Sequence, residues 1–264
     1  MKVAMPRRSR SLDKMRAGKK VISYKLNLSC PRAAEIAALC DFDCLWLCQE
    51  HVPTDQHVLE SQIMAAKAHN TDVIVRVAKG SYSDYIRPLE LDATGLMIPH
   101  MMNADEARHL VEMTRFAPLG KRPVDGGNAD GQYCLFDFFE YIKFVNENRM
   151  LIVQIEDVEA IEDIENIAAV PGIDMLFFGP ADMTQSLGEI GNFSHPEIAR
   201  MRKLVVEVAH RHGKFAGTTS GPGTLKEYYD MGYDFINCGA DVVSIMSSCQ
   251  ELMKTVNATG YFNN

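Results

Sequence analysis

The sequence lacks the features that mark several large classes of protein. No stretch approaches the roughly 20 consecutive apolar residues that a membrane-spanning helix needs, and no Pro- or Ser-rich linker divides the 264 residues. Neither a GxGxxG fingerprint nor a P-loop is present. An excess of positive charge is also missing, because 27 Lys and Arg stand against 35 Asp and Glu, a net charge of −8. We therefore expect neither nucleic acid nor a membrane among the partners.

Cysteine is present without a pattern that pairs it. The seven cysteines are an odd number and include no CxxC pair. Cys40, Cys44 and Cys48 would share one face of a helix and so resemble a metal site, but the last two lie in a segment that reads as a strand. Free thiols in a reducing cytoplasm are the better interpretation, and we expect the chain to be cytoplasmic.

The N-terminal segment is basic, with eight Lys and Arg within the first twenty residues, Lys2 among them. A transit peptide is one interpretation of the Arg and Ser there, whereas a secretory signal is disfavoured because no apolar region follows the charges. Residues 11–18 are also typical of a short capped helix that ends at Gly18. We expect a short basic N-terminal extension that includes this helix.

Eight short apolar runs recur along the chain, and several are unbroken, as in parallel strands covered on both faces. Helical patterns lie between them, such as the one that begins at Asn103 and the one from Pro196 to Gly213. Eight such alternations over about 250 residues predict a single-domain α/β fold, a (β/α)8 TIM barrel spanning residues 1–264. A doubly wound sheet is the alternative. The runs are residues 21–26, 44–47, 73–77, 95–98, 151–155, 175–178, 215–218 and 235–238.

In a barrel, the functional side chains are expected at the carboxyl ends of the strands. Glu156 and Asp182 follow the fifth and sixth runs, Arg76 ends the third, and His51 follows the second. Two carboxylates, an imidazole and a guanidinium favour a hard divalent ion and an oxyanion. The alternatives are helix caps for the carboxylates, a satisfied loop histidine and a structural ion pair. No lysine closes a candidate strand in this interpretation, so no Schiff base is expected.

Several motifs in these positions make the sequence resemble the HpcH/HpaI aldolase family, which includes 2-keto-3-deoxyglucarate and 2-keto-3-deoxyrhamnonate aldolases. They run in family order across most of the chain, and the two on successive strands that end in Glu156 and Asp182 are the most specific. The motifs are Glu50-His51-Val52-Pro53, Val75-Arg76, Ile98-Pro99 with residues 103–108, Val153-Gln154-Ile155-Glu156, residues 178–183 with Ser186-Leu187-Gly188, and residues 191–196.

The resemblance implies a phosphoenolpyruvate/pyruvate-type barrel and a class II aldolase. Such an enzyme reversibly cleaves a 2-keto-4-hydroxy acid into pyruvate and an aldehyde through a metal-stabilised enolate. It further implies that Glu156 and Asp182 bind Mg²⁺, Mn²⁺ or Co²⁺, and that Arg76 lies beside the keto oxygen. Gln154 would position pyruvate, and the backbone at Ala181 and Asp182 would hold its carboxylate. The resemblance also implies a homo-oligomer, a hexamer or trimer of dimers.

The acid/base residue implied by the resemblance is His51, and its family partner is a carboxylate that falls at Glu90. Two departures stand out. Cys48 occupies a position where the family usually has Asp, and residues 121–127 replace an Arg-Gly-x-Gly sequence. Two other functions stay open: an oxaloacetate decarboxylase of the same barrel family, and a catalytically retired barrel that binds a 2-oxo acid.

One long irregular stretch, residues 117–133, is typical of a functional loop or an active-site cover. Residues 123–135 contain Asp125 and Asp130 but neither Lys nor Arg. Because a desolvated carboxylate without a cationic partner is costly, an acidic loop at the site would reject a carboxylated aldehyde. Asn128, Asp130 and Gln132 would instead bind hydroxyl groups. This interpretation predicts a neutral hydroxyaldehyde, unless the loop packs against a neighbouring subunit.

Overall fold

The structure, a computed structural model, describes residues 6–261 and contains a closed barrel of parallel strands. Neighbouring strands pair in chain order, and the last pairs with the first. The predicted (β/α)8 barrel is thus confirmed and the doubly wound sheet is wrong. Residues 1–5, with Lys2, and 262–264 lie outside the described residues, so the domain limits 1–264 stay a prediction. The strands are β1 Val21–Leu26, β2 Cys44–Cys48, β3 Asp72–Arg76, β4 Gly95–Ile98, β5 Met150–Ile155, β6 Met175–Phe178, β7 Phe215–Ser220 and β8 Phe235–Ala240.

Helices follow the strands as the sequence patterns predict. Asn103 Oδ1 accepts a hydrogen bond from the Glu106 amide at 3.0 Å, which caps the helix after β4. None of the helices within residues 6–261 has the length and apolar character needed to cross a membrane. The helices are α1 Arg10–Arg16, α2 Pro31–Leu39, α3 Gln56–Ala68, α4 Tyr82–Glu90, α5 Ala104–Thr114, α6 Phe138–Asn148, α7 Val158–Glu162, α8 Ile164–Ala169, α9 Pro180–Ser186, α10 Pro196–Arg211, α11 Leu225–Met231 and α12 Asp241–Ala258.

The barrel interior is filled below its carboxyl end. Trp46 and Phe177 meet edge to face at 5.4 Å inside the barrel, and both are buried. Leu12 and Met15 of α1 join the same apolar cluster and close the amino end. The Ser9 hydroxyl caps α1, so the helix predicted over residues 11–18 is present but begins one residue earlier. With the other end closed, the carboxyl end of the barrel is left for a site.

The long loop predicted as a site cover lies elsewhere in its own chain. Its short 3-10 turn, Ala129–Gly131, contacts α4, and its Arg122 amide bonds to the Arg115 carbonyl just after α5. Helices α4 and α5 both run from the carboxyl end of the barrel, which we call the mouth, towards the amino end. The loop therefore lies at the amino end of the barrel. Asp130 is buried and bonded to Arg122 and to the Tyr141 hydroxyl. Within one chain, therefore, Asp130 neither meets the mouth nor is free to bind a substrate hydroxyl.

The cysteines are all free within the described chain. Cys44 and Cys48 lie in β2, as predicted, and Cys40 follows the end of α2. The three thiols therefore share no helical face. The cytoplasmic location expected from free thiols stays a prediction.

The last helix leaves an apolar face uncovered. Asp241 is the one buried residue of α12. Large apolar side chains on it are more than half exposed, among them Val243, Met246 and Leu252. Isolated exposed apolar residues are ordinary, but a contiguous set on one helix is typical of a surface that another molecule covers.

Candidate functional site

The mouth of the barrel is lined by the last inward-facing side chains of the strands. Because successive residues of a strand face opposite sides, Cys48 and Arg76 lie above the buried Trp46 layer, and the two are paired in register between β2 and β3. Gln154 takes the corresponding place on β5 and is buried. Lys25 does so on β1, with Nζ 5.1 Å from the centre of the Trp46 ring.

Glu156 is the most buried carboxylate of the mouth. It directly follows β5 and is 1% exposed. Its Oε2 accepts from the Gln154 side-chain amide and its Oε1 from the His100 backbone amide, each at 2.9 Å. Burial raises the pKa of Glu156 to about 7, and the charge of Asp182 also raises it, while His100 and Arg76 lower it. Asp182, His100 and Arg76 lie at the same end of the barrel, after β6, after β4 and at the end of β3.

Asp182 lies in the first turn of α9, after β6, and its side chain is half-buried. Helix α9 begins next to Glu156 because residue 179 is glycine: a Cβ there would lie 2.2 Å from Glu156 Oε2. Any side chain at 179 would therefore displace the Glu156 carboxylate. The structure thus brings the two predicted metal ligands together on neighbouring strands.

These residues fit a hard divalent cation. Apart from His100, whose Nδ1 is 3.8 Å from Oε1, Glu156 has no basic side chain within ion-pair distance in residues 6–261. Gln154 Oε1 is buried and has no hydrogen-bond partner in that part of the chain. Carboxylate and amide oxygens are the donors that Mg²⁺ and Mn²⁺ prefer. Across the described residues, no three His, Cys, Asp or Glu are arranged as a metal site, so water and substrate would have to complete the coordination.

Arg76 is buried and held from three sides. Its Nε lies 2.9 Å from Glu50 Oε2, its Nη2 donates to Cys48 Sγ at 3.2 Å, and its guanidinium lies 4.9 Å from the centre of the Trp46 ring. The anionic partner expected for a cation at this place is thus Glu50. The sequence analysis assigned Glu50 no role, although it lies beside His51 in the matched motif.

His51 lies at the rim, with its side chain 60% exposed, and its Nε2 is 3.5 Å from Glu50 Oε2. Cys48 contacts this segment through the backbone, since the His51 amide donates to Cys48 Sγ at 3.4 Å. The thiol therefore fixes the loop and does not contact the imidazole. Glu50 is the carboxylate that connects His51 with Arg76.

The structure does not bring Glu90, the predicted partner of His51, close to that residue within one chain. Glu90 is the last residue of α4, a helix that runs from the mouth to the amino end of the barrel. Burial raises the pKa of Glu90, and the charges that act on it most after burial are those of Arg122 and Asp130 in the long loop. Glu90 and His51 therefore lie at opposite ends of the same barrel.

Ala181 lies next to Asp182 at the start of α9, which begins at Pro180. Amides in the first turn of a helix have no acceptor within the helix, so those of Ala181 and Asp182 are available to an anion. Their predicted role in holding a carboxylate stays a prediction.

The structure adds two residues that the sequence analysis did not place in the site. His100 follows β4, with Nδ1 2.9 Å from Asp157 Oδ2, and its amide binds Glu156. Lys25 faces the mouth from β1, so the expectation that no lysine closes a strand is wrong. The signal that was available for His100 is its place two residues beyond the end of β4. Lys25 was obscured because the sequence alone did not show which face of β1 points inward.

Comparisons with known proteins agree with this geometry. The family model of HpcH/HpaI aldolase/citrate lyase matches residues 25–248. The chain is 32% identical to the hydroxypyruvate/pyruvate aldolase of Pseudomonas aeruginosa, covering 92% of this chain and 91% of that protein. It is 31% identical to the 5-keto-4-deoxy-D-glucarate aldolase of Klebsiella pneumoniae, covering 85% and 88%.

A solved structure is similar over nearly the whole chain. The crystal structure of the HpcH/HpaI aldolase from Desulfitobacterium hafniense has a TM-score of 0.91 and 28% identity, covering 96% of this chain and 98% of that one. The motifs, the barrel and these matches agree, and the relatives are carbon–carbon lyases. The chain belongs to the HpcH/HpaI aldolase/citrate lyase family.

Proposed function

We propose that this lyase is a metal-dependent class II aldolase that reversibly cleaves a 2-keto-4-hydroxy acid into pyruvate and an aldehyde. The observation that carries the proposal is the buried Glu156 carboxylate after β5, at the same end of the barrel as Asp182, which follows the neighbouring β6, and Arg76, which ends β3. Relatives named for pyruvate and keto-deoxy sugar acids support the substrate class. Pyruvate is an anion with a keto oxygen, and the site offers both oxygen donors and a guanidinium.

Glu156 and Asp182 would hold Mg²⁺, Mn²⁺ or Co²⁺, which when bound stabilises negative charge as it develops on the keto oxygen. Arg76 would donate to that same oxygen, where its charge is most useful. Gln154 would orient pyruvate through the second N–H of its side-chain amide, since the first is donated to Glu156. The free amides of Ala181 and Asp182 would hold the carboxylate.

The proton that leaves the 4-hydroxyl group needs an acceptor at the open rim. His51 lies there, and an imidazole is the side chain that most often serves as a general base near neutral pH. Glu50, which lies near both His51 Nε2 and Arg76 Nε, would keep the imidazole aimed along the rim. Glu90 would assist the His51 of another subunit only across an interface, because the mouth of its own barrel lies at the opposite end from Glu90.

A homo-oligomer is part of this proposal, and α12 supplies its expected interface. We expect Val243→Asp combined with Met246→Asp to shift the protein towards the monomer, because charges on an apolar interface are costly to desolvate. Light scattering after size-exclusion chromatography measures the mass. Lys254→Asp on the same helix, where the side chain is 80% exposed, controls for charge alone. A wild type that is monomeric at assay concentration would contradict this part.

A direct assay separates the proposed function from its two alternatives. With pyruvate, glycolaldehyde and Mn²⁺, an aldolase forms a new 2-keto-4-hydroxy acid that NMR detects. An oxaloacetate decarboxylase instead releases CO₂ from oxaloacetate and leaves the aldehyde untouched. A retired barrel does neither, although it binds pyruvate. We expect the condensation product, and its absence with a range of aldehydes would contradict the proposal.

A further inference from the structure

We infer that Lys25 is a specificity-determining residue that receives the carboxylate of an anionic second substrate, at the side of the mouth opposite Glu156 and Asp182. The inference rests on the proposed function and specifies its substrate class as a carboxylated aldehyde. It reverses the expectation of a neutral hydroxyaldehyde, which depended on finding no cation in residues 123–135.

The order of the strands around the barrel places Lys25 across the mouth from Glu156. In a closed barrel of eight strands in chain order, β1 lies across from β5. Glu156 follows β5 and Asp182 follows β6, whereas Lys25 is the second-last residue of β1. An eight-stranded barrel is only wide enough to hold a small molecule across its mouth. An acid whose pyruvate end lies at Glu156 therefore extends towards Lys25.

Lys25 has no anionic partner of its own in residues 6–261. The carboxylates whose charges act on it are Glu50 and Asp241. Glu50 pairs with Arg76, and Asp241 accepts from the backbone amides of Asn27 and Leu28 at 2.8 and 2.9 Å. Neither carboxylate forms an ion pair with Lys25. The Lys25 ammonium is thus left without an ion pair of its own among the described residues.

A half-buried ammonium without a counter-ion is an unfavourable arrangement that a bound carboxylate would relieve. Burial lowers the pKa of Lys25, and the neighbouring charge of Arg76 lowers it further. A ligand carboxylate at this place would restore the stability of the charged form. The Trp46 ring lies below Lys25 Nζ. A ligand carboxylate would therefore reach the ammonium from the open mouth, the side from which substrate would enter.

The test compares two aldehydes that differ in charge and by one methyl group, succinic semialdehyde and its methyl ester. We measure kcat/KM for each with pyruvate and Mn²⁺ in the wild type, in Lys25→Met and in Lys25→Arg. The readout is the ratio of the two values, because effects on the pyruvate half cancel. Lys203→Met is the matched control, since Lys203 is exposed on α10 and its loss changes the net charge equally.

We expect the wild type to favour succinic semialdehyde, and Lys25→Met to lower the ratio about 10- to 100-fold, as for loss of a charge-assisted hydrogen bond. Lys25→Arg should retain most of the preference and Lys203→Met all of it. If Lys25→Met does not fold, Lys25→Gln replaces it. A wild type without the preference, or an unchanged ratio in the Lys25 variant, would overturn the inference.

Two further measurements separate this inference from the proposed function. If the wild type exchanges the methyl protons of pyruvate but shows no preference for the charged aldehyde, only the inference about Lys25 is contradicted. If the wild type exchanges no methyl protons of pyruvate, the proposed function is contradicted as well. Borohydride with pyruvate should leave no adduct on Lys25 by mass spectrometry, and a trapped adduct would overturn the inference by making Lys25 a nucleophile.

Discussion

Glu156→Gln is expected to reduce metal-dependent exchange of the pyruvate methyl protons by about 10³-fold or more. The substitution keeps the shape of the side chain and leaves one oxygen acceptor, for either the Gln154 or the His100 amide, which in the wild type donate to different carboxylate oxygens. It removes the negative charge, however, and leaves Asp182 as the single carboxylate towards the metal. A neutral amide oxygen binds a hard divalent cation less strongly than a carboxylate.

The controls for Glu156→Gln address folding and charge. Because burial raises the pKa of Glu156 and so disfavours its charged form, the amide variant should unfold at no lower temperature than the metal-free wild type. Glu159→Gln, on the exposed side of α7, removes the same charge outside the mouth and should keep full exchange. Normal exchange in Glu156→Gln would show that Glu156 only anchors the backbone at His100.

Arg76→Lys should fold normally and lose about 10²-fold or more in kcat, as for removal of an oxyanion donor. The guanidinium contacts Glu50 through Nε and Cys48 through Nη2 while its face lies over Trp46. A lysine ammonium is a point charge on a flexible stem and reproduces one of these contacts at most.

The alternative for Arg76 is a purely structural ion pair with Glu50. That role would also be served by lysine, so near-normal kcat in Arg76→Lys would favour it. Arg200→Lys is the matched control, because Arg200 pairs with Glu197 on the exposed face of α10. We expect the control to be unchanged, and we expect the loss in Arg76→Lys to appear mainly in kcat, since the guanidinium acts where charge develops.

The strands and helices could be predicted because their signals are local. Eight runs of apolar residues coincide with the eight strands to within about two residues, the usual uncertainty of an element boundary. Burial on both faces of a parallel barrel produces such runs directly. Caps such as Asn103 and stops such as Gly213, where φ is 67°, are likewise set by a few neighbouring residues.

The placement of a side chain at the mouth could be predicted where it ends or follows a strand, and less well elsewhere. Glu156, Asp182 and Arg76 follow from the rule that strand ends meet at one mouth. The place of Lys25 at the mouth could not be predicted, because it depends on which side chains of β1 point into the barrel. Ser23 and Lys25 alternate there with Tyr24 and Leu26, and the sequence does not show which of the two sets points inward.

The position of Glu90 depends on the direction of a whole helix. The motif alone supplied a carboxylate partner for His51, but α4 carries that residue to the other end of the barrel. The prediction that the long loop covers the site has a related difficulty. Nothing in residues 117–133 shows at which end of the barrel a loop between two helices lies. Both features depend on tertiary placement and not on local pattern.

The measurement that tests the central claim most directly is deuterium exchange into the methyl group of pyruvate, followed by proton NMR. The assay needs no aldehyde, so it reports pyruvate activation alone. We expect exchange with Mg²⁺ or Mn²⁺, its loss with a chelator, and its return when the metal is added back. Exchange that persists unchanged in the chelator-treated protein, or no exchange with any of these metals, would contradict the account.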